Sequence, residues 1–257
     1  MLKIYLKKFF ILINIILFFY TSSLFAQEEK LLVVTEQWPP YNFKNKNGKI
    51  DGLSTKIITS ILNRANVDYE IKVLPWKRAF IMAQTEKNVL IYTIYRSAER
   101  EKLFQHWIGP IGRASAVYFY KLESRTDVVL NNIEDAKKYT IGVLRGDYVE
   151  DLLTTMGFKQ INRTSYFKQN VLKFLNKRFD LLPAGEINLK LMFDELKVDP
   201  SGVVKILPLF EDKVSKIYSA FSYGTNQNII NKVIKANTAI QNENLVDKVY
   251  GDYLNNH

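Results

Sequence analysis

The chain has no cysteine in 257 residues. That excludes disulfides, thiolate metal sites and cysteine nucleophiles. Histidine is almost as scarce: only His106 and His257 occur, which argues against a histidine-rich zinc site. No metal and no cofactor is expected. The sequence holds no Gly-x-Ser-x-Gly elbow and no Cys/His pair for nucleophilic catalysis, and His106 has no visible partner. Acidic residues are the minority, 26 against 36 Lys and Arg, for a formal charge of +10. The excess is spread along the chain without a run of five or more like charges. It reads as weak attraction for small anions, not as a nucleic-acid footprint. Internal repeats and low-complexity tracts are also absent.

One long apolar run stands out. Lys3, Lys7 and Lys8 precede "FFILINIILFFY" (9–20), and "TSSLFA" (21–26) then leads to the polar "QEEK". This is the layout of a secretory signal peptide cut after Ala26. The run is short of the roughly 20 residues of a membrane span, and no second run reaches that length. Residues 27–257 are therefore expected to be exported and soluble. Without a cysteine for lipid attachment, retention behind an outer barrier favours a Gram-negative periplasm. A chain of that length suits one large domain or two lobes.

The rest alternates strands and helices. Leu31–Val34 reads as a strand ended by Pro39 and Pro40. Leu53, Ile57, Ile58, Ile61, Leu62 and Ala65 share one helical face. "DYEIKVLPW" (68–76) alternates as a strand, 76–87 reads as a short helix, and "NVLIYTIY" (88–95) is again a strand. A further strand is read at 115–121. A second unit begins at strand 139–144, followed by a helix on Val149, Leu152, Leu153 and Met156 with Gly157 at its C-terminal turn. "SAFSYGTN" (219–226) reads as a short strand and turn, and two amphipathic helices close the chain. Strand–helix–strand order predicts βαβ units and mostly parallel sheets. Two such blocks, joined by "YFYKLESR" and "IYSAFSYGT", predict two lobes: 27–119 with 219–257 in the first, and 120–218 in the second.

Four stretches carry a family resemblance across nearly all of 27–257. They are "TEQWPPYNF…GKIDGLSTKIITSIL", "VLIYTIYRSAEREKLFQHWIGPI", "TIGVLRGDYVEDLL" and "LNKRFDLLPAGE". In order and spacing they resemble the bacterial extracellular solute-binding proteins, family 3. These are the polar amino-acid receptors of ABC transporters, with a two-lobed type II periplasmic-binding fold; "PWKRA" is similar to a divergent branch of them. The resemblance implies an α/β fold with two hinge strands and a small ligand held between the lobes. It further implies a permease partner in the inner membrane, a monomer, and no catalysis.

The resemblance puts the carboxylate-binding arginine of the family on Arg100, a planar fork of donors suited to a carboxylate. Thr93 falls near the family's ligand-binding Ser/Thr. Trp38 and Trp76 match its two aromatic positions, where each could stack on a ligand or simply fill core. Arg78 and Arg96 could face the pocket or the surface. In the second lobe, Gly146, Asp147 and Tyr148 lie at a helix N-terminus, where free N–H groups attract anions, with Arg145 as an added cation. Asp147 could equally be only the N-cap. The family's aspartate for an α-ammonium group falls on Gly185, next to Glu186, a possible substitute. Extra arginines with that aspartate missing predict a more anionic ligand or one without an amine. The competing readings are a dehydratase-like enzyme on the same fold and a sensing domain that signals to a membrane partner.

Overall fold

The computed structural model describes residues 30–210 and 214–256; the candidate signal peptide, 1–26, lies outside them. Leu31–Thr35 (β1) is the centre of the first lobe. It is buried nearly throughout, as a strand covered by helices on both faces must be. Phe43–Lys44 (β2) and Ile50–Asp51 (β3) form a small hairpin before helix Leu53–Arg64 (α1), which buries the apolar face read from the sequence. Tyr69–Val73 (β4) alternates half-buried with exposed residues because it is the sheet's edge. Trp76–Thr85 (α2) and the fully buried Val89–Ile94 (β5) complete the βαβ pattern, with β4 and β5 both parallel to β1.

A one-turn helix, Ala98–Glu101 (α3), leads into His106–Ser115 (β6), a long strand absent from the sequence reading. Gly109, Pro110 and Gly112 interrupt it and hide its pattern, since Gly and Pro read as turn signals. β6 pairs antiparallel with Val214–Phe221 (β12), giving the sheet order β4-β1-β5-β12-β6. After Ala116 the chain enters the second lobe as Val117–Leu122 (β7). There the order is β10-β7-β11, from Leu182–Gly185 (β10) and Val203–Pro208 (β11), both antiparallel to β7. Ile141–Leu144 (β8) and Ile161–Thr164 (β9) pair in parallel, and β8 joins the residue before β10 through the Gly142 N–H to Leu181 O bond of 3.0 Å. Helices Tyr148–Thr155 (α4), Phe167–Leu175 (α5) and Glu186–Leu196 (α6) cover this lobe. Gly157, at φ +85°, follows the last turn of α4 as read.

Each lobe has its own core. Ile229, Ile230 and Val233 on helix Gln227–Asn242 (α7) pack with Leu31, Ile57 and Ile61, returning the C-terminus to the first lobe. Val246, on the final helix Leu245–Asn256 (α8), joins the same cluster. In the second lobe Phe119, Ile141, Val143, Leu153 and Leu181 form the equivalent core. The chain leaves β1, β5 and β8 at their C-terminal ends facing the space between the lobes, where open α/β sheets present ligand sites.

Candidate functional site

Between the lobes lies a cavity of about 80 Å3. Three residues that follow strand ends reach it: Glu36 after β1, Tyr95 after β5 and Asp147 after β8. The Glu36 loop is pinned from within. The side chain of the fully buried Asn42 donates to the Glu36 carbonyl at 2.7 Å, and the Trp38 N–H donates to the Asn42 carbonyl at 2.7 Å. Trp38 lines the cavity, its ring 4.8 Å from Tyr41 and 5.8 Å from Tyr95.

Arg100 also lines the cavity and is 3% exposed. Ser97 caps its short helix, accepting from the Arg100 N–H at 3.3 Å. The guanidinium carbon lies 5.5, 5.0 and 5.6 Å from the ring centres of Trp76, Phe80 and Tyr148. Such a cage holds a planar cation in an apolar wall. Nη2 donates to Asp151 on α4 at 2.9 Å, and Nε has no partner among the described residues. Trp76 is both core and wall. It stacks on Phe80 and donates Nε1 to the Gly146 carbonyl of the other lobe at 2.6 Å. Thr93 has φ +64°, a left-handed conformation that a β-branched residue rarely adopts, and its buried Oγ1 has no partner among the described residues.

The second lobe contributes α4 and α5. Asp147 caps α4, accepting from the Glu150 N–H at 2.7 Å, and the Glu150 carboxylate in turn takes the Gly146 N–H. The helix's own acids thereby take two of the N–H groups at the expected anion site, those of Gly146 and Glu150. Tyr148 lines the cavity and lies 5.1 Å from Tyr95 across the cleft. Burial pushes the Glu36 carboxyl up to about 8, the charge of Asp147 adding and Arg100 opposing. Burial likewise pushes Asp147 up to about 7, against its bond from the Glu150 N–H and the charge of Arg100; Glu150 and Asp151 add to the rise.

Of the positions singled out in the sequence, Trp38, Trp76, Thr93, Arg100, Asp147 and Tyr148 come together around the cavity. Gly146 lies beside it and gives its carbonyl to Trp76. The remaining four do not line it. Arg78 points from the exposed side of α2. Arg96 turns outward to Glu101 at 2.7 Å and lies over the Trp107 and Tyr218 rings. Arg145 is exposed in the turn after β8. Glu186 bonds Lys205 at 3.1 Å on the outer face of α6, because the inner face carries Asn188, Leu189, Met192 and Phe193. Of the four candidate arginines, Arg100 lines the cavity, together with the carboxyl groups of Glu36 and Asp147. At Gly185 a Cβ would sit 2.7 Å from Ser115 Oγ, so the serine hydroxyl takes the space next to the missing acid.

Sequence reasoning missed Glu36, Tyr95, Asn170 and Asn188, all lining the cavity. The first two had a signal: each directly follows an apolar strand. Asn170 and Asn188 had none beyond being polar residues on the apolar faces of their helices. Both are buried; Asn170 Oδ1 has no partner among the described residues, and Asn188 donates to the Pro39 carbonyl across the cleft at 3.0 Å. Among the described residues no three His, Cys, Asp or Glu side chains are grouped to hold a metal ion. No helix among them is long and apolar enough to cross a membrane.

Two lobes closing on a small aromatic-walled cavity, with buried charge from both sides, define a two-lobed periplasmic-binding-type fold. The sequence profile of the bacterial extracellular solute-binding proteins, family 3, matches residues 31–256, and the chain belongs to that family. Its role is accordingly solute binding. Among solved structures, a histidine kinase sensor domain with similarity to periplasmic binding proteins superposes with a TM-score of 0.74 at 12% identity, covering 89% of this chain and 97% of that one. An ancestral arginine-binding protein bound to glutamine gives 0.71 at 20% identity, covering 87% and 96%. The arginine-, lysine-, histidine-binding protein ArtJ from Geobacillus stearothermophilus gives 0.71 at 18%, covering 87% and 94%. No curated protein matched.

Proposed function

We propose that the protein captures a small zwitterionic solute, an amino acid or an amino-bearing relative, between its lobes in the periplasm and delivers it to an ABC transporter permease. The observation that carries this reading is the charge arrangement: one caged guanidinium, Arg100, faces Glu36 and Asp147 from opposite lobes. A carboxylate bonds Arg100, displacing or joining Asp151; an ammonium group bonds Glu36 and Asp147 and restores their ionised forms. A purely anionic ligand would leave Glu36 and Asp147 without a cation, so the more anionic or amine-free ligand expected from the sequence is disfavoured. Thr93 Oγ1 and Asn170 Oδ1 supply polar contacts that the protein itself leaves open. The amino acids named for the similar structures fit this reading, and so does the secretory layout of residues 1–26.

The test is a thermal-shift screen of protein refolded after unfolding, to strip carried-over ligand. The panel holds amino acids, amines, dicarboxylates and keto acids. A ligand at 100 times its Kd adds about 2.7 kcal/mol. Hits among amino-bearing acids support the reading; hits confined to amine-free acids defeat it. The resemblance to a sensor domain supports a second reading, a receptor that signals after closing. Pull-down of a membrane kinase in place of a permease would favour it.

A further inference from the structure

We infer that the solute is longer than the small cavity and runs into a second chamber, so that the ligand is a zwitterionic head carrying an apolar tail. This rests on the proposed function. The second chamber measures about 360 Å3 against about 80 Å3 for the first. Glu36, Gln37, Trp76 and Phe167 line both, so the two chambers abut at the carboxylate that would hold the ammonium group. Leu74 and Pro75 form one wall from the first lobe, and Tyr166, Leu172 and Met192 form the other from the second. Tyr166 and Leu172 stay 46% and 41% exposed, two of the few large apolar side chains left in solvent among the described residues. Apart from Glu36 at its mouth, the charged side chains that line the chamber pair with each other. Lys168 and Glu195 bond each other at 2.9 Å, and Gln169 accepts from the Ser165 N–H. An uncharged apolar tail therefore gains burial there, while a charged one loses hydration without a partner.

The experiment is calorimetric titration of the folded protein with a homologous series of L-amino acids: alanine, norvaline, norleucine and 2-aminooctanoate. Each methylene that enters the chamber should tighten Kd about fourfold. Leu172→Lys, and independently Tyr166→Asp, should remove that gain while leaving alanine affinity unchanged. Both side chains are exposed, so neither variant threatens the core. A flat series with measurable alanine binding overturns the tail and leaves the proposed function standing. Methylene gains that persist in both variants also overturn it, because the tail then lies elsewhere. No binding by any member, alanine included, defeats this inference; a thermal-shift hit with another amino-bearing acid then leaves the proposed function standing, and the lack of one defeats both.

Discussion

Arg100 is held on several sides. Three rings and Asp151 fix its guanidinium, and only its own short helix presents it to the cavity. Arg100→Met should therefore weaken an amino-acid ligand by at least about 2 kcal/mol, roughly thirtyfold, in isothermal titration. Unchanged affinity would remove Arg100 from the site. Thr93 makes a separate case. A side chain held at φ +64° costs roughly 1–2 kcal/mol. Thr93→Gly should then be more stable than Thr93→Ala by about 1 kcal/mol in urea unfolding, reversing the usual order of these residues in a strand. Equal or opposite stabilities would mean that no strain is stored there.

At the scale of elements, the decisive local structure is the start of α4. Asp147 and Glu150 there accept the Glu150 and Gly146 N–H groups, and Arg163 bonds the same Glu150 carboxylate. Glu150→Ala should cost about 1 kcal/mol of stability by denaturant unfolding, since the Gly146 N–H loses its acceptor. A stabilised variant would contradict the capping assignment. The element that the sequence concealed is β6. With β12 it builds the long antiparallel ribbon from which the chain passes to the second lobe. Glycine and proline inside a strand mimic turns in sequence and are tolerated only because of its place at the sheet edge.

At the scale of the whole molecule, Glu36 and Asp147 line one cavity from the two lobes, and their shifts couple stability to pH. Both folded values, about 8 and about 7, lie above the ordinary 4.5 and 3.8. The folded state therefore binds more protons than the unfolded one. The stability that this contributes is full below about pH 4 and is lost as pH rises through 7 to 8. The Tm of ligand-free protein should fall between pH 5 and pH 8.5, and Glu36→Gln should flatten that fall. A bound ammonium group should flatten it as well, by stabilising both carboxylates, so the thermal shift from an amino-acid ligand should grow with pH over the same window. A shift independent of pH would show that the ligand's amine does not meet these acids.

Periodicity and motif order alone determined the βαβ frame, the two lobes and the family likeness, and that likeness implied Arg100, Trp38, Trp76 and Thr93 as cleft candidates. These are legible because burial on one face writes a repeat into the sequence, and because strand ends fall where apolar runs stop. The tertiary structure alone decided which charges face the cavity. Four cations and anions adjacent in sequence to the site, Arg78, Arg96, Arg145 and Glu186, turn outward, and Glu36 turns in. Along a helix a single residue step rotates a side chain by about 100°, from cleft to solvent. In the loop after β1, packing of Asn42 and Trp38 sets the direction. Direction of this kind depends on contacts between residues far apart in the chain, and no local pattern encodes it.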